Sequence, residues 1–110
     1  MIEKYTADIS TNLKEIIERN IVFKQKDFYI LSSNKSVVGT LSQGDIIRLI
    51  YNNIQLNTPV SEIINKKFIY TKKFDKKNIR EIFKKHKINS LPLLDNKMRI
   101  INIFTPFDYI

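Results

Sequence analysis

Cysteine is absent from the 110 residues, and histidine occurs once. The chain can therefore form neither disulfide bonds nor a thiolate metal centre, and it cannot assemble a metal site from several histidines. Two glycines and three prolines are too few for a fibrous or low-complexity protein. No apolar run is long enough to span a bilayer, and Glu3 places a charge where a secretion signal would begin. We expect a cytoplasmic protein that does not associate with membranes.

Acidic residues are outnumbered, with 11 Asp and Glu against 19 Lys and Arg, which gives a formal net charge of +8. A positive charge predicts an anionic partner such as a nucleotide, a nucleic acid or an acidic lipid. The alternative is AT-rich coding, since lysine greatly outnumbers arginine. The lysines are also spread along the chain instead of clustering with arginine and exposed aromatic residues. Nucleic acid is therefore the less favoured partner.

The same unit occurs twice along the chain. Residues 12–17 (NLKEII) reappear as residues 78–83 (NIREIF), and a Tyr-Thr pair precedes each copy. Residues 41–45 (LSQGD) parallel residues 104–108 (FTPFD). The offset between matched positions falls from 66 residues at Asn12 and Asn78 to 63 residues at Leu41 and Phe104. We expect a loop between the matched blocks to absorb the difference.

Apolar periodicity and capping residues predict strand, helix, strand, strand and helix in both copies. In the first copy, the strands are predicted at 2–6, 28–32 and 36–41, and the helices at 12–20 (capped by Ser10 or Thr11) and 43–52. In the second copy, the strands are predicted at 68–71, 91–94 and 99–104, with a helix at 75–87 and another that begins at Pro106. The connector is predicted to contain a short helix that Thr58 caps and Pro59 opens.

The predicted fold is α/β, with two β-α-β-β-α repeats. The first repeat covers residues 1–57, and the connector and second repeat cover residues 58–110, with the last helix truncated. A unit of about fifty residues covers its own sheet poorly. We therefore expect the two repeats to pack against each other with pseudo-twofold symmetry.

A hydroxyl and a carboxylate follow a strand in each repeat, as Ser42 with Asp45 and Thr105 with Asp108. One interpretation is a capping box, in which the hydroxyl and the acid hydrogen-bond to the first turn of a helix. The other is a ligand site, because a helix start offers free N–H groups to phosphate and a carboxylate can accept hydrogen bonds from ribose. Arg48, one turn beyond Asp45, could pair with phosphate or could be a solvated surface arginine. No set of residues for catalysis is apparent.

Three segments resemble the CBS (cystathionine-β-synthase) domain family. Residues 37–48 (VVGTLSQGDIIR) resemble the end of a CBS domain, residues 59–65 (PVSEIIN) the connector of a tandem pair, and residues 89–95 (NSLPLLD) a strand of the second domain. The resemblance implies a cleft that binds adenosine nucleotides, with Asp45 and Asp108 holding ribose hydroxyls. Together with the motif it gives these ligand-binding residues: Thr6, Phe28, Tyr29, Ser42, Gly44, Asp45, Arg48, Tyr70, Thr71, Ser90, Leu91, Pro92, Thr105 and Asp108.

The motif variant most resembles CBS pairs attached to sugar-phosphate enzymes. We expect a regulatory module that binds an adenine nucleotide as a regulatory ligand, with no catalytic cofactor and no activity of its own. Its place would be the N-terminal part of a sugar-phosphate nucleotidyltransferase, with an arabinose-5-phosphate isomerase-like protein as the alternative. The second hypothesis is a structural or dimerising module with empty clefts. A homodimer through the CBS repeats is expected in either case.

Overall fold

The computed structural model describes residues 2–109 and, within them, all side chains except those of Phe23, Asp108 and Tyr109. Three α-helices and two small sheets confirm the α/β class. The chain forms two compact units, Met1–Phe68 (the first unit) and Ile69–Ile110 (the second unit). The connector thus folds with the first unit, while the predicted repeat boundary at residues 57 and 58 stays a prediction.

The elements of the first unit are β1 (Thr6–Asp8), α1 (Leu13–Phe23), β2 (Asp27–Leu31), β3 (Val37–Ser42) and α2 (Gln43–Tyr51). The three strands form one sheet in the order β1-β2-β3. Strand β1 runs parallel to β2, and β2 runs antiparallel to β3. Short 3₁₀ helices occupy Ile2–Tyr5 and Val60–Glu62. The strand predicted at 2–6 is therefore wrong for residues 2–5, because a 3₁₀ helix occupies them and the strand runs from Thr6 to Asp8.

The second unit contains α3 (Lys76–Lys85) and the antiparallel strands β4 (Leu91–Leu94) and β5 (Ile100–Phe104). A 3₁₀ helix, Pro106–Tyr109, follows β5 where the sequence predicts the start of a helix. Helix α3 buries Ile79 against Leu91, Leu93 and Phe104. Its start at the cap Asp75 is confirmed, since the Asp75 side chain accepts hydrogen bonds from the next helical amides.

The strand predicted at 68–71 is wrong, because only Thr71 pairs with β4. The Thr71 N–H donates to the Pro92 carbonyl (3.0 Å), and the Leu94 N–H donates to the Thr71 carbonyl (2.9 Å). The next bond of a parallel ladder would join the Ile69 carbonyl to the N–H of residue 92. Proline has no N–H, so the ladder stops there.

Two predicted caps are also wrong. Asn12, and not Ser10 or Thr11, caps α1 by accepting a hydrogen bond from the Glu15 N–H (3.0 Å). Ser10 is instead engaged with the Asp8 carboxylate (2.8 Å). In the connector, Pro59 precedes the 3₁₀ helix and no side chain caps it. Thr58 contributes its carbonyl instead, as described below.

The extra three residues of the first repeat lie in a helix and not in a loop. Leu13 and Ile16 of α1 are buried, as Ile79 of α3 is, but α1 continues to Phe23 whereas α3 stops at Lys85. By the 66-residue offset, Lys85 matches Arg19, so α1 extends about one turn further at its C-terminal end, although the two helices have similar lengths of 11 and 10 residues. That turn ends in a left-handed Lys24, whose N–H donates to the Asn20 carbonyl (2.8 Å).

The connector completes the core of the first unit and the start of α1. Val60 is fully buried in a cluster with side chains from the sheet and both helices: Ala7, Ile16, Phe28, Ile30, Leu41 and Ile46. The carbonyls of Leu56 and Thr58 accept hydrogen bonds from the Lys14 and Leu13 N–H groups (2.8 and 2.9 Å). These donors belong to the first turn of α1, where amides have no partner inside the helix.

The connector also covers the outer edge of β3. Thr40 and Asn65 exchange two backbone hydrogen bonds of 2.9 Å. Next to them, a Cβ on Gly39 would lie 2.7 Å from Ile64 Cδ1 and 3.0 Å from the Asn65 carbonyl oxygen. Gly39 is therefore required for the close approach of the connector, as glycine in a strand often is.

The two hairpins have the same turn but differently protected edges. Lys35 and Met98, 63 residues apart, both adopt the left-handed conformation. In the second unit, Pro92 lies opposite Ile103 in the sheet. Pro92 has no N–H, and the Pro92 carbonyl accepts a hydrogen bond from Thr71, so the two residues are not hydrogen-bonded to each other. The backbone N–H and carbonyl of Ile103 therefore point away from β4. The Ile103 N–H bonds to the neighbouring Asn102 side chain (2.8 Å). An asparagine side chain thus protects the edge that a connector covers in the first unit.

We predict that Gly39→Ala lowers the free energy of unfolding by about 1–3 kcal/mol, because the added methyl group overpacks the contact with Ile64 and Asn65. Gly44→Ala is the matched control, since a Cβ there would lie 3.6 Å or more from neighbouring side chains. It should leave stability unchanged or raise it by up to about 1 kcal/mol. Urea unfolding followed by circular dichroism measures both. Equal stabilities of the two variants would contradict the role of Gly39.

Candidate functional site

Several predicted ligand residues of the first unit lie at one end of the strands of its sheet. Strands β1 and β2 begin there and β3 ends there, with Thr6 paired to Tyr29 and Asp27 paired to Ser42. Helix α2 starts directly after β3. The predicted hydroxyl, the carboxylate and the strand residues therefore come from neighbouring positions of one small sheet.

The start of α2 is a complete capping box. The Ser42 hydroxyl accepts a hydrogen bond from the Asp45 N–H (3.1 Å), and Asp45 Oδ2 accepts one from the Ser42 N–H (2.9 Å). The capping interpretation of this motif is therefore confirmed for the first unit. Each residue satisfies a backbone amide that the helix leaves without a partner.

Arg48 is paired with the other oxygen of the same carboxylate. Its Nη2 donates to Asp45 Oδ1, one turn along the helix. The Arg48 side chain is 70% exposed and that of Asp45 is 29% exposed. Because the guanidinium folds back toward the helix start, its Nη1 would lie only 3.6 Å from a Cβ on Gly44. We call Ser42, Gly44, Asp45 and Arg48 the α2 cluster.

The backbone of the α2 cluster has one amide left for a ligand. The Gln43 N–H donates to the Lys26 carbonyl (2.7 Å), and the Asp45 N–H is used by Ser42. Among the residues that the structure describes, the Gly44 N–H has no acceptor. An exposed amide, an arginine and a hydroxyl beside a helix start form an arrangement that suits an anionic oxygen.

Sequence reasoning missed Lys26, which fixes this amide pattern through its carbonyl. A backbone acceptor cannot be recognised from the residue type, because every residue has the same backbone carbonyl oxygen. The contact can be recognised only from the strand pairing. Lys26 directly precedes β2, Gln43 directly follows β3, and the two strands are antiparallel partners.

The predicted base-binding residues of the first unit are less accessible. Phe28 is fully buried in the core and Tyr29 is 3% exposed, so a ligand could reach these positions mainly through backbone atoms. Thr6 donates to the Glu3 carbonyl (3.2 Å) and lines a cavity of about 260 Å3 with Asp8 and Arg19. Hydrogen bonds from the Ser10 N–H and hydroxyl hold the pKa of Asp8 below its usual value, so this carboxylate is ionised at neutral pH.

The corresponding end of the strands in the second unit has the same arrangement in a sheet of two strands. Leu91 pairs with Phe104, which places Ser90 and Thr105 at the same end of β4 and β5. Thr71 and Ser90 are buried, as are Leu91 and Pro92, whereas Tyr70 is 39% exposed. Thr71 bonds through its hydroxyl to the backbone of Lys73.

The helix start of the second unit differs from α2. Thr105 is followed by the single 3₁₀ turn Pro106–Tyr109, which has less aligned backbone than the nine-residue α2. The side chain of Asp108, the predicted partner of Thr105, lies outside the described residues. A capping box or a ligand contact by Asp108 stays a prediction.

The described residues contain no group of three or more His, Cys, Asp or Glu side chains that could hold a metal ion. None of the described helices combines the length and the apolar character needed to cross a membrane.

No protein-family model matches the sequence, and no curated protein matches it. Solved structures with the same fold are found. AcuB from Vibrio cholerae superposes with a TM-score of 0.83 at 20% identity over 96% of this chain and 78% of that one. The CBS domain protein PAE2072 from Pyrobaculum aerophilum, solved with AMP, gives 0.79 at 14% identity, covering 94% and 80%. The CBS domain pair of MJ0100, solved with 5′-methylthioadenosine and S-adenosyl-L-methionine, gives 0.76 at 19% identity, covering 94% and 82%.

These similarities extend over nearly all of this chain and over most of each solved chain. At such low identities they show the fold alone. The chain has the fold of a tandem pair of CBS domains.

Proposed function

We propose that this chain is a regulatory module that senses an adenine nucleotide or a related adenosine compound. The observation that carries the proposal is the α2 cluster, in which a hydroxyl, a carboxylate, an arginine and an open amide surround one helix start. The ligands of similarly folded proteins support the adenosine class, since PAE2072 was solved with AMP and MJ0100 with two adenosine derivatives.

In this proposal, the α2 cluster holds the sugar and the phosphate. Asp45 accepts hydrogen bonds from the ribose hydroxyls, since an ionised carboxylate has room for about four donors. Arg48 and the Gly44 N–H hold the phosphate, and the Ser42 hydroxyl lies beside either group. The adenine base lies toward Thr6 and the backbone of Phe28 and Tyr29.

The second unit would hold a ligand in the corresponding way. Thr105 and Asp108 take the places of Ser42 and Asp45, and Tyr70 with Thr71 takes the place of the first strand. Ser90, Leu91 and Pro92 border the base. The short 3₁₀ turn offers a weaker dipole than α2, so the first-unit site is the one that we expect to bind more tightly.

The sensing module would act on an enzyme and not as one. The S-x-G-D-I-x-R variant at Ser42–Arg48 supports attachment to a sugar-phosphate nucleotidyltransferase, with an arabinose-5-phosphate isomerase-like protein as the alternative. Regulation then requires the ligand to favour one of two states of the attached protein.

A structural or dimerising module is the second candidate, and the surface of α2 favours it. Ile50 and Tyr51 follow Ile47 by three and four residues, about one turn of this helix, and the three side chains are 49%, 84% and 61% exposed, respectively. Apolar side chains at this spacing form a continuous stripe that a second copy of the same helix could cover. This function needs no ligand and leaves the α2 cluster as a helix cap.

The nucleotide proposal predicts that AMP stabilises the chain in a saturable way, by about 2.7 kcal/mol at a hundredfold excess over its dissociation constant. Asp45→Ala should weaken AMP binding about tenfold or more, because it removes charge-assisted hydrogen bonds. Calorimetry measures the affinity, and thermal unfolding measures the stabilisation.

Asp75→Ala is the matched control for the cap that Asp45→Ala also removes. Asp75 caps α3 through the Lys77 and Asn78 amides and lies outside the predicted site. Each variant should lose about 1 kcal/mol of stability, but Asp75→Ala should retain AMP binding. Absence of binding by AMP, ADP, ATP and S-adenosylmethionine would contradict the proposal and leave the structural module.

The structural candidate predicts self-association through α2. Ile50→Lys together with Tyr51→Lys should convert a dimer to a monomer, because like charges replace the apolar stripe. Sedimentation velocity measures the mass, with Ile101→Lys as the control for loss of an exposed isoleucine on β5. A wild-type chain that sediments as a monomer at all concentrations would contradict this candidate.

A further inference from the structure

Both carboxylate oxygens of Asp45 already accept a hydrogen bond within the α2 cluster. Its Oδ2 belongs to the capping box through the Ser42 N–H, and its Oδ1 accepts from Arg48. A ribose hydroxyl that donates to Oδ1 would share this oxygen with the guanidinium. The arginine therefore competes with the ligand for the group that the ligand needs.

We infer that Arg48 determines which adenosine compounds the first-unit site accepts, by exchanging its contact with Asp45 for a contact with the ligand phosphate. The inference rests on the proposed function. A ligand with a phosphate replaces one anionic partner of the guanidinium with another. A ligand without a phosphate displaces Arg48 from Asp45 and offers the guanidinium no other anionic partner.

The position of the guanidinium supports the exchange. It folds back over Gly44, the residue whose N–H is open, so a phosphate at that amide lies within reach of Arg48. Arg48 stands above the first turn of its own helix, where the backbone dipole is positive and repels a cation. Asp45 offsets that repulsion in the free protein, and a bound phosphate would do the same.

The free energy lost when the Arg48–Asp45 ion pair breaks is small. An exposed ion pair of this kind contributes no more than about a fivefold factor to an equilibrium. The 70% exposure of Arg48 leaves its side chain free to rotate without disturbing packed neighbours. The capping bonds of Ser42 and Asp45 do not involve the guanidinium and can persist during the exchange.

The test compares adenosine and AMP by calorimetry at low salt, using the wild type, Arg48→Ala and Arg48→Gln. Removal of the guanidinium should weaken AMP about tenfold, because one charge-assisted phosphate contact is lost. The same variants should bind adenosine about twofold to fivefold more tightly, because Asp45 is no longer occupied. A helix-stabilising role alone would not move the two ligands in opposite directions.

Arg99→Ala is the matched control, since Arg99 forms an exposed pair with Asp95 in the second unit (3.1 Å) and lies outside the predicted site. It should leave both affinities unchanged, and circular dichroism verifies that every variant is folded. Parallel changes for the two ligands, or none, would overturn the inference while AMP binding by the wild type still upholds the proposed function. A wild type that binds neither ligand would overturn both.

Discussion

The close approach between the connector and β3 is the contact on which the first unit depends. Gly39 leaves room for Ile64 and Asn65, and the Thr40–Asn65 bonds then close the sheet edge. The same segment inserts Val60 into the core and supplies carbonyls to the start of α1. Three separate requirements, an edge, a core position and a helix start, are met by one stretch of about ten residues.

This constraint explains why two similar sequences form units of unequal completeness. In the first unit, the connector closes the edge of β3, and β1 adds a third strand on the opposite side. In the second unit, Pro92 limits the strand before α3 to Thr71, and Asn102 protects the edge of β5. The first unit therefore holds its candidate site on a sheet supported from both sides.

Patterns within a single element were predictable from sequence, and contacts across elements were not. The bounds of β4 and the cap Asp75 follow from apolar runs and capping chemistry, as does the Ser42–Asp45 pair. The missing bond at Pro92 depends on which face of β4 meets Thr71. The burial of Phe28 depends on strand order, and the rotamer that joins Arg48 to Asp45 is a choice among conformers that sequence leaves open.

The α2 cluster can be a helix cap and a ligand site at once. A carboxylate offers about four lone-pair positions, and the capping box uses one of them on Oδ2. Arg48 uses a second position, on Oδ1, and under the proposed function ribose hydroxyls use the remaining positions and the one that Arg48 vacates. Under the proposed function, stability and binding share Asp45 without opposing each other, and the contact that we expect a ligand to displace is the exposed pair with Arg48. The capping box orients the carboxylate before any ligand arrives, which reduces the ordering that binding would otherwise require.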